Sequence, residues 1–89
     1  MKLSQKALEV LSAGTIKIRV NRSGMFQNMT FRTKTVKLGN IEYYVLFTDR
    51  IIGLTELARI AEEIGLPVEA PNGIAFPKGT SAMDFKKEN

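Results

Sequence analysis

The sequence predicts a single α+β domain, in which a small antiparallel sheet has two helices packed on one face and the element order is α-β-β-β-α followed by a short β-ribbon. Three observations predict this class. Two stretches repeat apolar residues at helical spacing, the stretch between them is rich in β-branched and alternating residues, and 89 residues suffice for one hydrophobic core. We expect residues 1–80 to form this domain and residues 81–89 to form a mobile C-terminal tail.

Apolar residues at helical spacing occur before and after the predicted strands. The first helix is predicted over residues 4–13, because Ser4 can accept the free amides of the first turn and Gly14 can end the helix. The second helix is predicted over residues 55–64, where the following Gly-Leu-Pro sequence is a typical stop signal. Its buried stripe is predicted to consist of Leu54, Leu57, Ala58, Ile60, Ala61 and Ile64.

Three strands are predicted between the helices. Residues 15–22 alternate apolar and polar side chains, which is the pattern of a strand with one buried face. Residues 29–38 are rich in β-branched and aromatic residues and predict the second strand, after a connection over residues 23–28. Residues 41–47 predict the third strand, after a tight turn at residues 39–40.

The second and third strands have apolar residues on both faces. In the second strand, Met29 and Phe31 share one face. Val36 and Leu38 share the other face, so we predict a bulge within residues 33–35 that restores a common face. In the third strand the apolar residues alternate onto both faces without a break, and we expect the second face to be covered by the chain itself or by a partner.

The positive charge is concentrated in the first half of the chain. Residues 1–41 hold 8 Lys and Arg against 1 Glu (+7), and residues 42–89 hold 5 against 8 acidic residues (−3), which gives the net charge of +4. No acidic residue occurs from Val10 to Ile41. The candidate nucleic-acid-binding residues are the cations of this stretch, Lys17, Arg19, Arg22, Arg32, Lys34 and Lys37.

Alternation along the strands indicates which of these cations share a face. Lys17 and Arg19 on the first strand are expected beside Arg32 and Lys34 on the second. Such a surface predicts a small non-catalytic module that binds RNA or DNA, with exposed Phe31 or Tyr44 stacking on unpaired bases. The alternative for the same residues is a solvated face whose cations keep the sheet from pairing with other chains.

A second function class is a protein-interaction or assembly subunit that acts as a homodimer. The third strand favours it, because a small monomer has little chain with which to cover both apolar faces. Met25, Phe26 and Met29 near a loop favour it as well. Nucleic-acid binding requires cations on the exposed sheet face, whereas assembly requires apolar residues there.

Two short motifs resemble functional sequences but lack a required part of each. Residues 54–67 resemble the first helix and turn of a helix-turn-helix DNA reader, but the Pro- and Gly-containing sequence that follows cannot form the recognition helix. Residues 78–81 contain the residue types of a phosphate-binding loop without its glycine spacing or its helix. Residues 68–76 are predicted as the short ribbon, which Pro71 and Pro77 confine to a sheet edge or to no sheet.

The composition removes several kinds of chemistry. Cysteine and histidine are absent, so no disulfide, thiolate nucleophile, Cys/His zinc site or imidazole acid/base can form. Asp49 is predicted to cap a turn, and no catalytic residue, cofactor or metal site is predicted. Apolar runs are far shorter than the roughly 20 residues that cross a bilayer, so we expect no membrane partner and a cytoplasmic location.

Overall fold

The predicted α+β class and the predicted order of the elements are confirmed by the computed structural model, which describes residues 3–88. The helices are α1 (Gln5–Ala13) and α2 (Leu54–Ile64), the strands are β1 (Thr15–Arg22), β2 (Met25–Leu38), β3 (Ile41–Phe47), β4 (Val68–Ala70) and β5 (Gly73–Ala75), and a 3₁₀ turn covers Ala82–Phe85. The sheet has the order β1-β2-β3-β4-β5. It is mixed rather than wholly antiparallel, because β4 runs parallel to β3.

Helix α1 begins and ends at signals that the sequence contains, and helix α2 ends at one. The Ser4 side chain accepts a hydrogen bond from the Ala7 amide at 3.1 Å, which caps α1. The helices end at Gly14 and Gly65, each in the left-handed conformation. Glycine suits these positions because a Cβ atom would strain the backbone there.

The two helix-terminal glycines give a matched pair of substitutions. A Cβ at Gly65 would lie 2.7 Å from the Ser4 hydroxyl, whereas a Cβ at Gly14 would meet nothing within 4 Å. We expect Gly14→Ala to lower the free energy of unfolding by about 1–2 kcal/mol through backbone strain alone. We expect Gly65→Ala to cost roughly 1 kcal/mol more, because Ser4 must shift from its capping position. Urea denaturation measures both, and equal losses would contradict the predicted contact.

The first hairpin is tighter than the sequence predicts. Instead of a connection over residues 23–28, a two-residue turn at Ser23-Gly24 joins β1 directly to β2, which begins at Met25. Ser23 has a φ of 52°, and the Asn21 side chain accepts a hydrogen bond from the Gly24 amide at 3.1 Å. The turn was not recognised because serine rarely adopts a positive φ.

The predicted bulge in the second strand is wrong. Pairing between β2 and β3 is continuous through residues 33–35, with Thr33 opposite Leu46 and Thr35 opposite Tyr44. No residue is inserted, so the apolar residues of β2 lie on opposite faces of the sheet. On the second face Val36 is half-buried against the core and Leu38 is 60% exposed, so neither residue requires a bulge.

The helices cover one face of the sheet, which we call the helix face. Its buried side chains are Ile18, Val20, Met29, Phe31, Leu46 and Val68, which form one core with Ala7 and Val10 of α1 and Leu57, Ile60, Ala61 and Ile64 of α2. Along α2, Glu62 and Glu63 are exposed and point to solvent. The amphipathic pattern of the second helix therefore predicts its buried side correctly, except that Leu54 and Ala58 are exposed.

The C-terminal segment, residues 76–88, packs against β3 and differs from the mobile tail expected over residues 81–89. The Tyr43 ring, which points away from the helix face, lies 5.9 Å from the Phe76 ring, and the Phe76 ring lies 6.4 Å from that of Phe85. Ala82 and Phe85 are buried in the core. Asn89 lies outside the described residues.

Backbone pairing fixes the end of the same segment. The backbone of Lys86 pairs with that of Tyr43 in an antiparallel bridge, and the Lys87 amide donates to the Glu42 carbonyl at 2.7 Å. The segment thus uses the part of the β3 edge that β4, which pairs only with Leu46 and Phe47, leaves free. The second apolar face of β3 is covered by this chain itself.

Candidate nucleic-acid interface

Strand register places four of the predicted cations on one side of the sheet. Lys17 lies opposite Thr30, and Arg19 lies opposite Asn28. Arg32 and Lys34 continue the same face of β2. All four side chains are exposed, and they face away from the helices. We call this exposed surface of β1 and β2 the basic face; its residues are Thr15, Lys17, Arg19, Phe26, Asn28, Thr30, Arg32 and Lys34.

The other two predicted cations lie elsewhere. Arg22 pairs with Met25 across the first hairpin, and its side chain donates to the side-chain oxygen Oε1 of Gln27 at 3.5 Å. Lys37 lies opposite Glu42 near the second turn. Both residues have the parity of the helix face, so the structure separates them from the four that it brings together.

The aromatic residues of the basic face differ from those that the sequence analysis selected. Phe31 is fully buried on the helix face, and Tyr44 has the same parity, so neither can stack on a base at the basic face. The basic face instead holds Phe26, which is 57% exposed, and borders Phe47, which is partly exposed. Register is the signal that finds them, since Phe26 lies opposite Asn21 and Phe47 lies opposite Arg32.

Cations flank both of these rings. The Arg19 guanidinium lies 4.4 Å from the centre of the Phe26 ring. The Lys34 ammonium lies 4.1 Å and the Arg32 guanidinium 5.9 Å from the centre of the Phe47 ring. Each aromatic ring is therefore accompanied by at least one group that can bind a phosphate, which is the combination that single-strand binders use.

The cations of the basic face are unequally neutralised. Lys34 forms an ion pair of 2.8 Å with Glu69 of β4, which reduces its availability to an anion. Across residues 3–88, Lys17, Arg19 and Arg32 make no ion pair. Burial, and then the nearby Glu69 carboxylate, raise the pKa of the Tyr43 phenol, which therefore stays protonated at neutral pH.

Helix α2 fixes the strand that holds two of these cations. The Glu56 carboxylate accepts a hydrogen bond from the Asn21 amide at 2.7 Å, and the Arg59 guanidinium donates to the Arg19 carbonyl at 3.1 Å. Glu56 and Arg59 also pair with each other at 2.8 Å. The hydrogen bond from Arg59 lowers the pKa of the Glu56 carboxyl, with a smaller contribution from the Asn21 amide, so this clamp is charged at neutral pH.

Within the described part of the chain, no group of three or more His, Cys, Asp or Glu residues is arranged to hold a metal ion. None of the helices in residues 3–88 is long and apolar enough to cross a membrane. Comparisons with protein-family models, with curated proteins and with solved structures give no match.

Proposed function

We propose that this protein is a non-catalytic module that binds single-stranded RNA or DNA across the basic face. One observation carries the proposal: the sheet presents four cations and an exposed phenylalanine together on a surface that the helices leave open. The predicted location of the protein, the cytoplasm, stays a prediction.

The chemistry of the basic face suits an unpaired strand better than a duplex. Exposed Phe26 and partly exposed Phe47 can each stack on a base only if that base is not already stacked and paired within a helix. Lys17, Arg19 and Arg32 supply phosphate contacts that are independent of sequence. Alternate residues of a strand lie about 7 Å apart, so these contacts extend over a few nucleotides.

Salt dependence tests the proposal. Three to four phosphate contacts predict that log affinity for a fluorescent oligouridylate falls with log salt at a slope of roughly −2 to −3. Arg19→Gln combined with Arg32→Gln should make that slope shallower by about 1.4, since two contacts are lost. Fluorescence anisotropy between low and moderate salt measures both values.

A matched variant separates position from net charge. Lys86→Gln combined with Lys87→Gln removes the same charge from the exposed end of the C-terminal segment, and we expect the slope to stay unchanged. If both double variants have the same effect, or if neither single-stranded RNA nor duplex DNA binds at low salt, the basic face is a solvated surface. Duplex bound as tightly as single strand would contradict the stacking role of the phenylalanines.

The homodimer alternative has less support from the structure. It rested on a third strand with two apolar faces, and this chain covers both, since Val45 and Leu46 are fully buried. Of the three apolar residues near the loop, Met29 is buried, whereas Met25 and Phe26 are exposed, with Phe26 beside Arg19. We therefore prefer the nucleic-acid proposal, and light scattering coupled to gel filtration tests the alternative.

A further inference from the structure

Strand β1 forms one edge of the sheet. Side chains of α2 form hydrogen bonds with the backbone at only one end of this edge, at Arg19 and Asn21. In a strand, the N–H and C=O groups of alternate residues point to the same side. The Asn21 amide and the Arg19 carbonyl are hydrogen-bonded to side chains of α2. The backbone N–H and C=O groups of the odd-numbered residues of β1 therefore point outward, away from β2. The backbone groups of Lys17 and Thr15 point to the same free side.

Four backbone groups of this edge are open. They are the amides of Arg19 and Lys17 and the carbonyls of Lys17 and Thr15, for which residues 3–88 supply no hydrogen-bond partner. A groove of about 540 Å³ runs beside them. It is bounded by β1 and by side chains of both helices, namely Lys6, Arg59, Glu63 and Ile64.

We propose that this edge binds an extended peptide segment of alternating apolar and acidic residues, which adds to the sheet as a further strand beside β1. The four open groups supply the backbone hydrogen bonds. Side chains of the added strand alternate between the two faces of the sheet. On one face they meet Ile16, Ile18 and Ile64, and on the other they meet Lys17 and Arg19.

Charge specifies the acidic half of the pattern. The groove contains Lys6, Lys17 and Arg19, and none of these forms an ion pair within the described residues. The acidic Glu63 is already paired with Arg59 at 2.7 Å. Acidic side chains of a bound peptide would lie directly opposite cations, and such cross-strand pairs are favourable.

A second copy of this chain is a poorer occupant of the edge. Antiparallel pairing of β1 with another β1, in the registers of greatest overlap, places Arg19 of one chain opposite Lys17 or Arg19 of the other. Like charges directly opposite each other destabilise a pair of strands. The proposed peptide site shares Lys17 and Arg19 with the basic face, but it does not rest on nucleic-acid binding, because its hydrogen bonds are made by the backbone at the edge of β1.

The probe is an acetylated, amidated peptide, Glu-Val-Glu-Val-Glu-Val-Glu, titrated into the full-length protein and followed by NMR and amide hydrogen exchange. We expect exchange at the Lys17 and Arg19 amides to slow by about tenfold or more at saturation. The Asn21 amide, which is already bonded to Glu56, should not change. A peptide of the same composition with its valines in one block should bind about tenfold more weakly.

Methylation of the peptide backbone tests the added strand directly. In antiparallel pairing, opposite residues share a face, so the glutamates opposite Lys17 and Thr15 would donate hydrogen bonds to the open carbonyls of those residues, and the glutamates opposite Lys17 and Arg19 would accept hydrogen bonds from their amides. N-methylation of the glutamates should therefore weaken binding about tenfold or more, and N-methylation of the valines should leave it within about twofold. If neither set of methyl groups weakens binding, or if the Lys17 and Arg19 amides exchange as before, the peptide is held by charge elsewhere and the proposal is overturned.

Reversing the charge of Lys17 and Arg19 separates a change in the site from loss of folding, because an unfolded variant would not gain a preference for the opposite peptide. Lys17→Glu with Arg19→Glu should reverse the preference, so that Lys-Val-Lys-Val-Lys-Val-Lys binds more tightly than the acidic peptide. Lys86→Glu with Lys87→Glu makes the same change of net charge away from the groove and should keep the preference for the acidic peptide. An identical shift of preference in both variants would mean that net charge alone decides, which contradicts a site at the edge.

Discussion

Phe85→Ala is expected to lower the free energy of unfolding by about 3–5 kcal/mol, the usual cost of truncating a buried phenylalanine. Phe85 is only 3% exposed, and its ring lies 6.4 Å from that of Phe76, which in turn packs on Tyr43 of β3. The substitution leaves a cavity where the C-terminal segment meets the sheet. Because the covering of the second face of β3 depends on this segment, we expect the loss at the upper end of the range.

Met83→Ala is the matched control, since Met83 lies in the same 3₁₀ turn with 58% of its surface exposed. Its removal should change stability by no more than about 0.5 kcal/mol. Urea denaturation followed by circular dichroism compares the two variants. Equal and small effects would mean that residues 81–88 are a mobile tail, as the sequence analysis expected.

The elements that the sequence predicts well are those with local signals. The caps of α1, the stop after α2 and the alternation of residues 15–22 each depend on neighbours within a few positions. Periodicity also assigns the buried side of α2, because an amphipathic helix has a single apolar side that can pack against the core.

The errors arise where the answer depends on distant parts of the chain. Apolar residues on both faces of β2 were interpreted as a bulge, because a sheet covered on one face only would require one. The covering of the other face comes from Phe76 and Phe85, at least 38 positions beyond the end of β2 at Leu38. No short-range pattern marks an isolated phenylalanine among charged and small residues as part of the core.

The candidate site shows the same division. The cations of the basic face were predicted from strand parity, because a period of two holds whatever the sheet packs against. The aromatic residues of the basic face were not predicted. The predicted connection between the first two strands covers residues 23–28, so Phe26 has no assigned face. Once the turn is known to be Ser23-Gly24, the same parity places Phe26 beside Arg19.

Two phenylalanines of β2 should separate folding from binding. Phe31 is fully buried on the helix face, so Phe31→Ala should lower the free energy of unfolding by about 3–5 kcal/mol. Phe26, on the other face of the same strand, is 57% exposed, so Phe26→Ala should change stability by no more than about 0.5 kcal/mol. Binding of a single-stranded oligonucleotide should respond in the opposite order. Loss of one stacking ring costs about 1–3 kcal/mol of binding free energy, or roughly 5- to 150-fold in affinity.

The comparison is made with urea denaturation for stability and with anisotropy of a labelled oligouridylate for affinity. If Phe31→Ala prevents folding, Phe31→Leu provides a milder change in the same place, with an expected cost of about 1–1.5 kcal/mol and unchanged affinity for the folded protein. Phe26→Leu should bind nearly as weakly as Phe26→Ala, since a leucine keeps apolar area but cannot stack on a base. Full affinity in Phe26→Leu would assign the ring a packing role beside Arg19 and would remove base stacking from the proposed function, leaving the cations alone to account for binding.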